Sequence, residues 1–314
     1  MKKVGIIGGS GFIGSHVTKI FLDNGFEVRV SSTDISNEDK YQHLMILDHS
    51  DKLHIAELNV ENKQALRDFV QDCDIVIHSG TPFQLDVKDP KTELFDPTVK
   101  GTENFLEVIS QMPSVAKVVV VASVAAINDN FPIPAKGKNP DETYDESDKF
   151  TSSESHPYGQ AKFLANQTVQ KFTLENPDSN VEITSVSPVL VVGNSMSGRE
   201  DSTSTRLQFL FRNKIAPNPF VQMLYDNDVE FAVVDVADVA KAIFKAATTK
   251  GLHGRNYLLS HSSFSVSDLS LLLNGQRPKT NGRIIYKNDL AKRDLDLEFG
   301  DITQTLHFGH GSHH

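Results

Sequence analysis

Val4-Gly5-Ile6-Ile7-Gly8-Gly9-Ser10-Gly11-Phe12-Ile13-Gly14-Ser15 is an apolar run that passes directly into glycines at Gly8, Gly11 and Gly14, a G-x-x-G-x-x-G spacing. Beyond it Phe12, Ile13, Val17, Ile20 and Phe21 recur at helical spacing, and Asn24-Gly25 supplies a stop. The stretch therefore reads as strand, tight turn and helix. Glycine suits such a turn because unusual φ angles, close approach of a ligand to the backbone and tight helix-on-strand packing all exclude a Cβ. The uncapped N–H groups and positive dipole end of the helix then attract phosphate. This is the pattern of a dinucleotide-binding turn, with Gly8, Ser10, Gly11, Phe12, Ile13 and Gly14 as its contacts.

Alternating strands and helices follow. Glu27 to Ser31, Leu53 to Leu58, Asp74 to His78, Lys117 to Ala122 and Val181 to Val186 read as strands, and Val118-Val119-Val120-Val121 is apolar throughout, as a parallel strand buried on both faces requires. Short right-handed crossovers leave one main topology, an α/β doubly wound parallel sheet of the Rossmann type. In such a sheet the end of the second strand meets the adenosine ribose, and here it reads Ser31-Ser32-Thr33-Asp34. Hydroxyls at Ser32 and Thr33 leave room for a 2′-phosphate, Asp34 opposes one, and Lys40 either neutralises it or is a solvated loop lysine. Asn59 and Val60 are expected over the adenine, Gly80 and Thr81 beside the nicotinamide half, and Pro188 with Leu190 beside the carboxamide. His78 is expected to be a packed strand residue.

Residues 128 to 157 carry several prolines and the carboxylates Asp141, Glu142, Asp145, Glu146 and Asp148, without histidines at ligand spacing; a solvated loop is expected and no metal. Next comes His156-Pro157-Tyr158-Gly159-Gln160-Ala161-Lys162, which opens a long helical pattern. Tyr158 and Lys162 are four apart and share a helix face. A phenol with an ordinary pKa of about 10 is a slow proton donor at neutral pH, and an adjacent ammonium favours its phenolate. The same lysine can hold ribose hydroxyls. Ser123, at the end of the fifth strand, would supply a hydroxyl to a substrate oxygen. Serine, tyrosine and lysine on these elements are the expected catalytic set.

The chain resembles the extended short-chain dehydrogenase/reductases, and within them the dihydroflavonol-4-reductase-like branch, which includes cinnamoyl-CoA, vestitone and related carbonyl reductases. The resemblance rests on Gly8-Gly9-Ser10-Gly11-Phe12-Ile13-Gly14, the His78-to-Phe83 strand end with Lys88-Asp89-Pro90, Pro97-Thr98-Val99-Lys100-Gly101-Thr102, Tyr144-Asp145-Glu146-Ser147, Tyr158 with Lys162, and Pro188-Val189-Leu190-Val191-Val192-Gly193. It covers roughly the first 245 residues. It implies that Ser123, Tyr158 and Lys162 are the family's catalytic residues, that Asn59 and Val60 touch adenine, and that Asn128 stands where the dihydroflavonol enzymes place a substrate-contacting asparagine. Two departures are visible: the branch usually has an arginine for the 2′-phosphate where this chain has Thr33, and His156-Pro157 and Gly159-Gln160 differ from the plant enzymes.

The 314 residues carry 31 basic and 41 acidic side chains, a formal charge of −10, which argues against nucleic acid or an anionic membrane as partner. No apolar run is long enough for a bilayer, Met1-Lys2-Lys3 leads straight into a strand, and Cys73 is the one cysteine, so a cytoplasmic location is expected. Asp72 and Asp74 are expected to raise the Cys73 thiol pKa. Residues 310–314, His310-Gly311-Ser312-His313-His314, look like a tag remnant. Residues 1–193, with roughly 231–250, are expected to form the dinucleotide-binding core, and 194–230 with 251–309 a small C-terminal substrate-binding lobe. Phe83, Asn128 and Met196 are the expected substrate contacts, with Phe220 and Tyr225 as further candidates for the pocket wall. The reading that follows is an NADPH-preferring reductase, monomer or homodimer, acting on a ketone or aldehyde. NAD remains possible, as do an NAD-dependent alcohol, sterol or sugar dehydrogenase and a non-catalytic dinucleotide sensor.

Overall fold

In the computed structural model, residues 2–79, 89–139 and 141–308 are described. Seven parallel strands make the central sheet: β1 (Lys3–Ile7), β2 (Glu27–Ser32), β3 (Leu53–Glu57), β4 (Ile75–His78), β5 (Lys117–Val121), β6 (Glu182–Pro188) and, further on, β9 (Asn256–Leu259). Their order is β3-β2-β1-β4-β5-β6-β9, with the reversal between β1 and β4 at the place where doubly wound sheets bind ligands. A second sheet joins β7 (Leu190–Val192), β8 (Glu230–Asp235) and β10 (Ser263–Ser265) in the order β10-β8-β7. The expected Rossmann sheet is therefore present. Asn256–Leu259, within the 251–309 stretch expected in the lobe, extends the central sheet beside β6, while β8, at the start of the roughly 231–250 stretch expected in the core, pairs in the small sheet.

The helices are α1 (Phe12–Asp23), α2 (Gln42–Met45), α3 (Lys63–Val70), α4 (Asp96–Ser110), α5 (Pro157–Glu175), α6 (Thr203–Asn213), α7 (Pro219–Asp226), α8 (Val236–Thr248), α9 (Val266–Leu273), α10 (Asp289–Leu295) and α11 (Ile302–Phe308). On one face of the sheet α1 packs on α8, with Phe21, Phe26 and Phe244 meeting edge to face. On the other, α3, α4 and α5 cover Val76, Val118 and Ile183 through Phe69, Phe105, Leu106, Ile109 and Val169. Each such fully buried side chain contributes roughly 1.5–3 kcal/mol of transfer free energy. A third apolar cluster, around Phe211, Leu224, Phe231, Phe264 and Leu269, belongs to the lobe.

Cys73 is buried, and its thiol is pushed up to about 11, chiefly by burial; Asp74 and Asp72 raise it only a little further, so the carboxylates are not the main cause that was expected. The acidic loop is likewise not simply solvated. Asp148 pairs with Lys138, whose ammonium lies 4.3 Å above the Tyr144 ring, and the Glu146 carboxylate accepts the Leu258 N–H at 2.9 Å. These contacts press the loop onto β9 and bring Tyr144 into a stack with Tyr286, ring centres 4.6 Å apart.

Candidate active site

Gly8 takes a left-handed φ of 77°, and a Cβ on Gly14 would lie 2.0 Å from the Gly8 carbonyl oxygen. The turn thus closes only with glycine at both places. Helix α1 begins at Phe12 with no side-chain cap, so its first-turn N–H groups are left for a ligand, and the Ser31 hydroxyl accepts the Gly8 N–H at 2.9 Å. The cradle fits a pyrophosphate. The Phe12 side chain itself is buried in the core, so only its backbone is offered.

The end of β2 differs in detail from expectation. The Ser32 hydroxyl is spent inside its own turn, donating to the Asp34 carbonyl at 2.9 Å. The Asp34 carboxylate accepts from the Ser36 N–H and hydroxyl at 2.9 and 2.6 Å, and those bonds hold its pKa low. What the loop presents is Thr33, exposed, with the Lys40 ammonium donating to its hydroxyl at 2.7 Å. Asn59 is exposed beyond β3, where its side chain accepts the Glu61 N–H, and Val60 is half-buried. Gly80, Thr81 and Phe83 lie outside the described residues.

Ser123, two residues beyond β5, is in extended backbone (φ −160°) and caps the 3₁₀ turn Val124–Ala126, its Oγ accepting the Ala125 N–H at 3.3 Å. That turn packs against α5. Helix α5 starts where it does because Pro157 occupies its first turn and His156 Nδ1 accepts the Tyr158 N–H at 3.3 Å. Burial lowers the His156 pKa and keeps the ring neutral enough to accept. His156-Pro157 is thus a helix start. The helix end is clamped from below. Asp129 holds the Thr151 hydroxyl, the Ser152 N–H and the Ser155 hydroxyl at 2.7, 3.1 and 2.6 Å, and a Cβ on Gly159 would meet the Asp129 carbonyl oxygen at 2.0 Å. Asp129 and Gly159 are positioning residues that sequence reading missed; the tell was a glycine inside an otherwise helical pattern.

Tyr158 and Lys162 are both half-buried on α5. Burial raises the Tyr158 pKa, and a hydrogen bond from the Thr203 side chain, arriving from α6, opposes the rise. Burial pulls Lys162 down to about 8. Thr203 is thus the neighbour that lowers the phenol, where Lys162 was expected to do so. His78 packs edge-on to Phe105, ring centres 4.5 Å apart, and burial first, then the Lys162 charge, lowers it to about 4. It is a neutral packed ring, as expected. Lys162, His78, Thr102 and Asn166 line a cavity of about 30 Å³.

The substrate-side expectations divide. Asn128 is fully buried, with its amide donating to the Ile133 carbonyl and the Tyr286 hydroxyl at 3.0 and 3.1 Å and accepting from the Asn130 N–H. Both N–H groups are used in holding the loop together, so Asn128 is a framework residue and not the expected substrate contact. Leu190 is buried in the lobe core, Pro188 pairs with Leu259, and Tyr225 donates to the Leu210 carbonyl beside Phe211. Met196 is half-buried in the segment between β7 and α6. Phe220 is 42 % exposed and lies 6.0 Å from the His156 ring, so the lobe meets the start of α5.

Comparisons with known proteins bear on the family. The family model for the NAD dependent epimerase/dehydratase family matches residues 4–260. Cinnamoyl-CoA reductase CAD2 of Medicago truncatula is 30 % identical over 260 residues, 81 % of this chain and 74 % of that protein. An anthocyanidin reductase of Vitis vinifera is 26 % identical over 313 residues, 94 % of this chain and 90 % of that one. Among solved structures, yeast methylglyoxal/isovaleraldehyde reductase Gre2 complexed with NADPH superposes with a TM-score of 0.78 at 23 % identity, covering 97 % of this chain and 96 % of its own, a likeness of fold. The chain belongs to the NAD dependent epimerase/dehydratase family, in the dihydroflavonol-4-reductase-like branch of the extended short-chain dehydrogenase/reductases, and is an NAD(P)-dependent oxidoreductase.

Proposed function

We propose that the protein is an NADPH-preferring reductase of a ketone or aldehyde on a small or medium-sized hydrophobic substrate. The observation that supports this reading is the packing of the 3₁₀ turn Val124–Ala126, which Ser123 caps, against α5, the helix that carries Tyr158 and Lys162. The bound cofactor supplies a hydride from its nicotinamide to the carbonyl carbon. The uncapped start of α1 would hold its pyrophosphate, and Thr33 with Lys40 its 2′-phosphate. Ser123 Oγ accepts the Ala125 N–H through a lone pair, which leaves its own proton to donate to the substrate oxygen. Tyr158 delivers the proton that converts the developing alkoxide to an alcohol. The Lys162 ammonium stabilises the phenolate left behind and reaches ribose hydroxyls. The relatives named above are reductases, which supports the reductive direction.

The test is NADPH oxidation across aromatic aldehydes, ketoesters and diketones, with Tyr158→Phe alongside. The variant should bind NADPH within about 2-fold of wild type and lose roughly 10²–10⁴ in kcat, the span of a positioned general acid. Near-normal turnover would remove Tyr158 from the role.

A further inference from the structure

Arg199 comes from the segment between β7 and α6, yet its guanidinium sits on the cofactor side of the central sheet. Nη2 donates to the Ser10 carbonyl at 2.7 Å, inside the glycine turn, and Nη1 donates to the Lys40 carbonyl at 2.6 Å and, weakly, to that of Asp39 at 3.4 Å. One cation thus bridges the loops that leave the adjacent parallel strands β1 and β2. In a doubly wound sheet the adenosine ribose lies between those two loops.

Asp201 lies 2.9 Å from Nε but is 59 % exposed and not aligned for a hydrogen bond, so the buried Nε–H has no hydrogen-bond partner. Asp34, on the loop after β2, is turned into its own Ser36 bonds, and on the same loop Glu38 is followed by Asp39, whose carboxylate accepts from the Gln42 side chain. Beside these stand the cations Arg199 and Lys40, with the Thr33 hydroxyl bonded to the second. A guanidinium whose Nε–H lacks a hydrogen-bond partner, an ammonium and a hydroxyl are donors of the kind a phosphate dianion takes.

On the NADPH reading above, we propose that Arg199 completes the 2′-phosphate subsite with Lys40 and Thr33. The arginine missing from the end of β2 is then supplied from the lobe, and recognition of the 2′-phosphate is coupled to docking of that lobe on the glycine turn. Arg199 is in this sense a specificity-determining residue, remote from the reacting carbonyl.

The test is calorimetric titration of the full chain with 2′,5′-ADP and with ADP, which differ only by the 2′-phosphate. Wild type should bind 2′,5′-ADP more tightly. Arg199→Ala should weaken 2′,5′-ADP at least tenfold and ADP less than twofold, with Arg199→Lys recovering part of the loss. Equal weakening of both ligands would mean a structural strap only and would overturn the proposal, as would an unchanged preference. Should Arg199→Ala fail to fold, Arg199→Gln carries the same comparison. A wild type without preference for 2′,5′-ADP would sink the NADPH reading itself; a wild-type preference that survives in the variant sinks only the role of Arg199.

Discussion

The side chain of Thr203, at the start of α6, hydrogen-bonds the hydroxyl of Tyr158, at the start of α5. This bond joins the segment after β7 to the tyrosine proposed above as proton donor. It favours the phenolate, so Thr203→Val should push the Tyr158 pKa further up. The alkaline limb of kcat/KM against pH should move upward by a fraction of a unit, with a 2- to 5-fold slower reduction at pH 7, the scale of one lost hydrogen bond. An unchanged profile would show that the substrate displaces Thr203 before chemistry.

Lys162 is held at about 8 by burial, below the ordinary lysine value. Between that value and 10.5 the unfolded chain binds the extra proton and the native protein does not, so stability rises with pH across this window. At pH 7 the burial penalty is fully present. Lys162→Met should therefore raise stability at pH 7 by about 1–2 kcal/mol, a figure reduced for the half-exposed side chain, while abolishing turnover. Urea denaturation at pH 7 and 9.5 checks this: the gain should shrink at the higher pH.

His78 gives the opposite limb. Its pKa of about 4 lies below the ordinary histidine value of 6.5 chiefly through burial. As pH falls from 6.5 towards 4 the unfolded chain takes up a proton that the native ring refuses, and stability is lost by up to about 2 kcal/mol. Thermal unfolding from pH 7 to 4.5 should show a shallower decline for His78→Phe than for wild type.

Two glycine substitutions should act with opposite signs. In Gly159→Ala the new methyl meets the Asp129 carbonyl at 2.0 Å, a backbone atom that the hydrogen bonds of Asp129 hold in place. Loss of more than about 2 kcal/mol is expected, with a drop in kcat from the displaced Tyr158. Gly101, inside α4, has nothing within 4 Å of a Cβ, and Gly101→Ala should stabilise by about 0.5–1 kcal/mol. Differential scanning calorimetry on the pair separates the two cases.

What the sequence determined by itself is what short-range sterics and periodicity control. The turn from Gly8 to Gly14 needs glycine whatever surrounds it, the apolar strands announce a parallel sheet, and a spacing of four puts Tyr158 and Lys162 on one helix face. What only the tertiary structure decided depends on groups far apart along the chain. Arg199 reaches Ser10 across 189 positions, Thr203 finds Tyr158 from another lobe, and Asn128 is drawn inward by Tyr286, 158 residues away. Asn256–Leu259 looked like a lobe strand because an apolar tetrapeptide carries no label for its sheet; its place beside β6 is set by the edge left open for pairing. A side chain's chemistry is local, but the groups it meets are chosen by packing between distant segments, which periodicity does not encode.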